Sequence, residues 1–160
     1  MKIAIKEIKI ALIALWLGAI VTFSFILAPV AFQVLPSRHL AGEVVTGILN
    51  RLNLLGYILG PLLLLLVILG RHAGHRPFVV IQAILLTLMA VSSVLSREVI
   101  TPRLLSLRAQ MGQMIDQVPL HDPLRLTFQT WHEYGVALMA FNLVAALLLL
   151  ALLTVGPRGS

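Results

Sequence analysis

Four stretches of this sequence contain no Asp, Glu, Lys, Arg or His. They are Ile10–Ser37, Leu52–Gly70, Pro77–Ser96 and Tyr134–Pro157, of 28, 19, 20 and 24 residues. All 18 charged residues and all five His fall in the other 69 positions. The hydrocarbon core of a bilayer is ~30 Å thick and takes ~20 apolar residues as helix. Inside lipid every backbone polar group must be satisfied internally, which favours helices. Each stretch therefore predicts one membrane crossing. The expected fold is all-α and integral to the membrane: an up-down-up-down bundle of four transmembrane helices, with helical extensions on one side. Residues 1–155 form the single domain, and Gly156–Ser160 read as a short tail that resembles a protease-site scar.

Composition supports the same class. The chain is 59% hydrophobic and 11% charged, against about 25% charged in soluble domains. A soluble enzyme and a disordered chain are excluded. A net charge of +6 would suit nucleic acid. Here the charges flank apolar spans, where Lys and Arg set orientation. The expected partner is the lipid bilayer and not nucleic acid, with a homo-oligomer or a membrane partner protein left open. There is no Cys, hence no disulfide and no thiolate site.

The spans are bounded by local signals. Lys2, Lys6 and Lys9 precede the first apolar run, as in a signal peptide. Its 28 residues exceed the roughly 7–15 of a signal core, so a retained helix is expected over Ile8–Leu35. Pro29 should kink it by freeing the carbonyl of Phe25, and Pro36-Ser37 should end it. Helix 2 is expected from about His39 to Gly70, followed by a short basic turn at Arg71–Pro77. Helix 3 is expected over Phe78–Glu98. Thr101-Pro102 reads as a helix start or a kink. An amphipathic piece follows over Arg103–Ile115, with Leu104, Leu107, Met111 and Met114 on one face. Asp122 as N-cap and Pro123 at the first position start helix 4. The Lys and Arg tally is six on each side of the membrane. The first helix usually dominates, so both termini are expected in the cytoplasm.

This topology gathers chemistry on one side. Five of six acids lie there, with His39, His121 and His132. The polar cap is the candidate site for a small ligand or a metal, through His39, Glu43, Asn50, Arg103, Arg108, Arg125, His132 and Glu133. His39 and Glu43 stand four residues apart, which is metal-ligand spacing on a helix. His39 and His132 could ligate haem iron or copper. The competing reading is an ordinary solvated face, since exposed ion pairs contribute only ~0–1 kcal/mol. Two seams also run along the helices: Thr46, Asn50, Asn53, Tyr57 and Gly60, and His132, Gly135, Met139, Asn142 and Ala146. They serve as helix interfaces or as a polar track leading inward. No nucleophile elbow or phosphate-binding loop is present, so an enzyme is not expected.

Several motifs carry a resemblance. They are F-x-x-A-P-x-x-F at Phe25–Phe32, Ala41-Gly42, T-P-R with L-R at Thr101–Arg108, and F-x-x-x-H at Phe128–His132. The chain resembles the bacterial domain-of-unknown-function 4149 family, related to the eukaryotic transmembrane protein 205. The resemblance implies a four-helix protein of the bacterial inner membrane with no established reaction. The eukaryotic relative's association with platinum-drug resistance implies metal or drug handling. A more distant similarity, at fold level only, is to copper-resistance and membrane protoporphyrinogen-oxidase proteins, whose helix-borne His bind metal or haem. A redox protein of that kind and an assembly subunit of a membrane complex are the alternatives to a ligand-binding cap.

Overall fold

The computed structural model describes residues 2–70, 76–112 and 115–155, with side chains from residue 5 onward. Among the described residues, six α-helices and two π-helical segments join into four rods. The first rod is α1 (Lys2–Thr22), a π segment (Phe23–Leu27) and α2 (Ala28–Val34). The second is α3 (Arg38–Gly70). The third is α4 (Arg76–Leu95), a second π segment (Ser96–Ile100) and α5 (Thr101–Met111). The fourth is α6 (Pro123–Val155). No strand occurs among the described residues. Each rod is long and apolar enough to cross a membrane, and the four form the expected up-down-up-down bundle. The basic turn at 71–75, Met114 and the tail at 156–160 lie outside the described residues.

Helix ends follow the sequence closely where caps exist. Asp122 Oδ1 accepts from the backbone N–H of Leu124 at 2.8 Å and of Arg125 at 3.3 Å. Ser37 Oγ accepts from the N–H of Leu40 at 3.1 Å and starts α3 one residue before His39. The amphipathic piece of the third rod ends at Met111, earlier than Ile115, because Gly112 adopts φ +62° and terminates it.

Both π segments precede a proline, although Pro61 lies within the unbroken α-helix of α3. In each, a proline follows the first π residue by six positions: Pro29 after Phe23, and Pro102 after Ser96. A proline ring collides with the carbonyl four residues earlier. Widening the turn relieves that clash. The N–H of Ala28 donates to Phe23 O, and the N–H of Thr101 to Ser96 O, each five residues back. Thr101 is therefore mid-rod and caps nothing. Its hydroxyl also donates to Ser96 O at 2.9 Å.

The rods pack differently in their two halves. Toward the termini they close on a continuous apolar core that includes Ile13, Trp16, Ile20, Leu63, Leu86, Met89 and Leu149. Glycines let α3 approach its neighbours there. A Cβ on Gly56 would meet Ser93 Oγ at 2.8 Å and the Trp16 ring at 3.1 Å, and one on Gly60 would meet Ala90 Cβ at 3.2 Å. Above this core lies a belt of buried polar contacts. Asn53 Nδ2 donates to Ser96 Oγ at 3.0 Å, and Asn142 Nδ2 to Ser92 Oγ at 2.6 Å. Beyond the belt, on the side of the 1–2 and 3–4 connections, the rods part and enclose a cavity.

Candidate functional site: a cavity in the cap half of the bundle

All four rods contribute to this cavity of about 460 Å³. Both π segments stand in its wall, with Phe23, Ser24 and Phe25 from one and Ser96 and Ile100 from the other. Widened turns of this kind recur at functional sites. α3 contributes Gly42, Thr46 and Leu49; α5 contributes Leu104 and Arg108; α6 contributes Arg125, Phe128 and His132. The volume falls within the roughly 300–1,000 Å³ typical of small-molecule sites.

The described part of the 3–4 connection, residues 115–122, roofs the cavity, with Ile115 in its lining. The backbone N–H of Arg38 donates to Asp116 Oδ2 at 3.1 Å, and its Nε lies 4.0 Å from Oδ1. Arg125 Nη1 donates to the carbonyl of Val118, which is itself buried. Two of the three cavity-lining arginines thus tie the roof to the starts of α3 and α6.

Arg108 is different. Its Nε and Nη1 are buried without a hydrogen-bond partner, and it forms no ion pair among the described residues. The guanidinium carbon lies 5.3 Å from the centre of the Phe128 ring. That ring in turn stacks on His132, with centroids 6.4 Å apart and planes at 5°. On its other side the Arg108 Nη2 presses on Gly42, where a Cβ would collide with it. A cation over an aromatic face gains ~0.5–2 kcal/mol. That gain does not replace the hydrogen bonds of a buried guanidinium, whose loss costs ~1–3 kcal/mol or more. The His132 ring makes no hydrogen bond among the described residues and keeps an exposed surface on the cavity wall. Two groups with unused hydrogen-bonding capacity therefore share one cavity.

The eight expected site residues divide sharply. Arg108, Arg125 and His132 line the cavity. His39 and Glu43 do not line it, and pair with each other at 3.4 Å. Glu133 accepts from Gln129 at 3.2 Å on an exposed face. Arg103 lies over the Trp131 ring at 5.9 Å, also outside. Asn50 is exposed, since its seam splits: Asn53 and Gly60 turn inward while Asn50 faces out. The cap is thus not one vestibule. Phe128, Gly42 and Thr46 join the site without having been singled out for it. Phe128 was legible as the residue one helical turn before His132.

The metal reading has less support. Among the described residues no group of three or more His, Cys, Asp or Glu could hold a metal ion. Axial ligation by two histidines would need His39 and His132 on one cavity, and only His132 lines this one. The donor set does not fit haem held by that pair, nor copper.

Comparison with known proteins adds a family and no function. No curated protein and no solved structure matches the chain. One family model matches residues 11–113. The matched stretch carries the second and third rods, the first from residue 11 onward, both π segments, Gly42 and Arg108, and it ends before α6 supplies Phe128 and His132. It covers well over half of the sequence, and the chain belongs to the family described as domain of unknown function DUF4149.

Proposed function

We propose that this multi-pass membrane protein binds a small anionic ligand in its cap cavity, with the Arg108 guanidinium as anchor. One observation carries the reading: Arg108, whose guanidinium has two buried nitrogens without a partner, lines a cavity large enough for a ligand. Buried charges are ordinarily paired. A carboxylate or phosphate would supply the missing partner, and guanidinium forks match both groups bidentately. His132 stands beside Phe128 to donate or accept a further hydrogen bond. Of the wall hydroxyls, Thr46 and Thr101 donate to backbone carbonyls and Ser96 accepts from Asn53, which favours binding or carriage over catalysis.

The proposal places the chain in a bacterial inner membrane with both termini in the cytoplasm, so the cavity lies at the periplasmic side. It also extends to the kinship with transmembrane protein 205 that the Thr101–Gly112 and Asp122–Met139 motifs suggest, because those two segments supply Arg108 and His132. The test is native mass spectrometry of the protein released gently from the membranes in which it was made. A one-to-one adduct on the wild type that is depleted on Arg108→Gln supports the reading. A wild type without adduct, or an adduct retained equally by the variant, refutes it.

A further inference from the structure

We infer that the ligand is an anionic amphiphile, an acyl carboxylate or an acyl phosphate, which enters sideways from the bilayer between α2 and α6. The inference rests on the anion-binding reading and specifies its ligand class and route.

The cavity has the shape and polarity for such a molecule. Its three cations, Arg38, Arg108 and Arg125, all belong to the cap end, and its far end is lined by Leu49, Met139 and Leu143. Arg125 and Leu143 both line it and stand 18 residues apart on α6, a rise of up to about 27 Å at 1.5 Å per residue. A chain with its head group at the cap would lie along this length, with its tail on the apolar far end. The single cation without a partner sits where the head group would lie.

The opening faces lipid. α1 packs along α6, but beyond the first π segment α2 turns onto α3 and makes no comparable packing with α6. Phe25, Phe32 and Val136 line the cavity and yet are 66%, 47% and 55% exposed. Residues that belong to both surfaces mark a mouth. The first rod carries no charge from Ile10 to Ser37, so nothing on its side of the mouth repels an acyl chain. Such a ligand reaches the site without leaving an apolar environment until its head group meets Arg108.

The experiment is equilibrium dialysis of the full chain in nanodiscs of neutral phosphatidylcholine, with empty nanodiscs as the blank. The probes are palmitate, palmitoyl lysophosphatidate, hexadecanol, dipalmitoyl phosphatidate and inorganic phosphate. The expected result is retention of palmitate or of an acyl phosphate at one per chain, with hexadecanol and inorganic phosphate at blank level. The stronger of the carboxylate and phosphate probes identifies the head group. Arg108→Gln should weaken retention about ten- to a hundred-fold, the effect of losing a hydrogen-bonded charge. Gly42→Ala, which keeps the charge but displaces the guanidinium, should weaken it as well and guards against a folding defect in the first variant. Val136→Trp at the mouth should slow uptake. Retention of hexadecanol at the level of palmitate overturns the anionic head group. Arg108-dependent retention of inorganic phosphate without palmitate overturns the amphiphile and leaves the anion reading standing. Retention of no probe, or equal retention by wild type and Arg108→Gln, overturns both.

Discussion

At the scale of single residues, Arg108 separates stability from function. A buried, unpartnered charge costs folding free energy, and replacing it with an apolar residue of similar reach is often stabilising. Arg108→Met should therefore raise the melting temperature of the ligand-free protein in neutral detergent, by a few degrees for about 1–3 kcal/mol, while abolishing adduct formation. A lower melting temperature would mean that the guanidinium has a structural partner. Contacts in the solid half behave in the opposite way. Gly56→Ala forces Ser93 and Trp16 apart and should destabilise by ~1–3 kcal/mol, read as a drop in melting temperature with ligand stoichiometry unchanged. The sequence makes some of this legible. The four-residue spacing read as metal-ligating brings His39 and Glu43 together as a pair, and the Asp122 cap forms. Arg108 stood among eight equivalent candidates, because nothing local reveals that Arg38 and Arg125 have partners while Arg108 does not. That difference arises only when Asp116 and Val118 reach Arg38 and Arg125 in the folded chain.

At the scale of elements, the prolines decide where the bundle opens. Each π segment adds one residue to a turn, and each lies where the cavity begins. A regular α-turn in its place would rotate everything beyond it by about 100°. Pro102→Ala restores the missing N–H and removes the ring clash, so the turn over Ser96–Ile100 can become α-helical. Arg108 would then swing off the cavity. The expected outcome is slower amide hydrogen exchange over this turn together with loss of palmitate binding; unchanged binding would show that the widened turn does not set the register of α5. From the sequence, Pro29 and Pro102 announce a disturbance. Whether a kink, a helix start or a widened turn results depends on packing, and here both rods continue through their prolines. The long amphipathic starts of α3 and α6 were legible from periodicity. Which of their faces meet was not, so the expected seam on α3 divides at Asn50 and Asn53.

At the scale of the whole molecule, the charge-free stretches locate the bilayer and the charged remainder locates the cap. The rods exceed the hydrocarbon thickness: the 33 residues of α3 rise about 50 Å, against ~30 Å. Its charge-free part is Leu52–Gly70, so the excess lies toward the cap. The molecule thus has a solid half, a polar belt and an open half whose mouth faces lipid. The proposed orientation predicts that a cysteine at exposed Gln117, introduced into a chain with none of its own, reacts with a membrane-impermeant maleimide on intact spheroplasts. Protection until the membrane is broken would invert the topology. The claim that joins all three scales is that the Arg108 guanidinium receives its partner from a ligand. Nitrogen NMR of labelled arginine side chains follows that group directly during titration with palmitate in nanodiscs. The account predicts that one Nε–H resonance, identified by its absence in Arg108→Lys, shifts and exchanges more slowly with solvent as the site fills. An Arg108 resonance that stays unmoved while palmitate binds would contradict it.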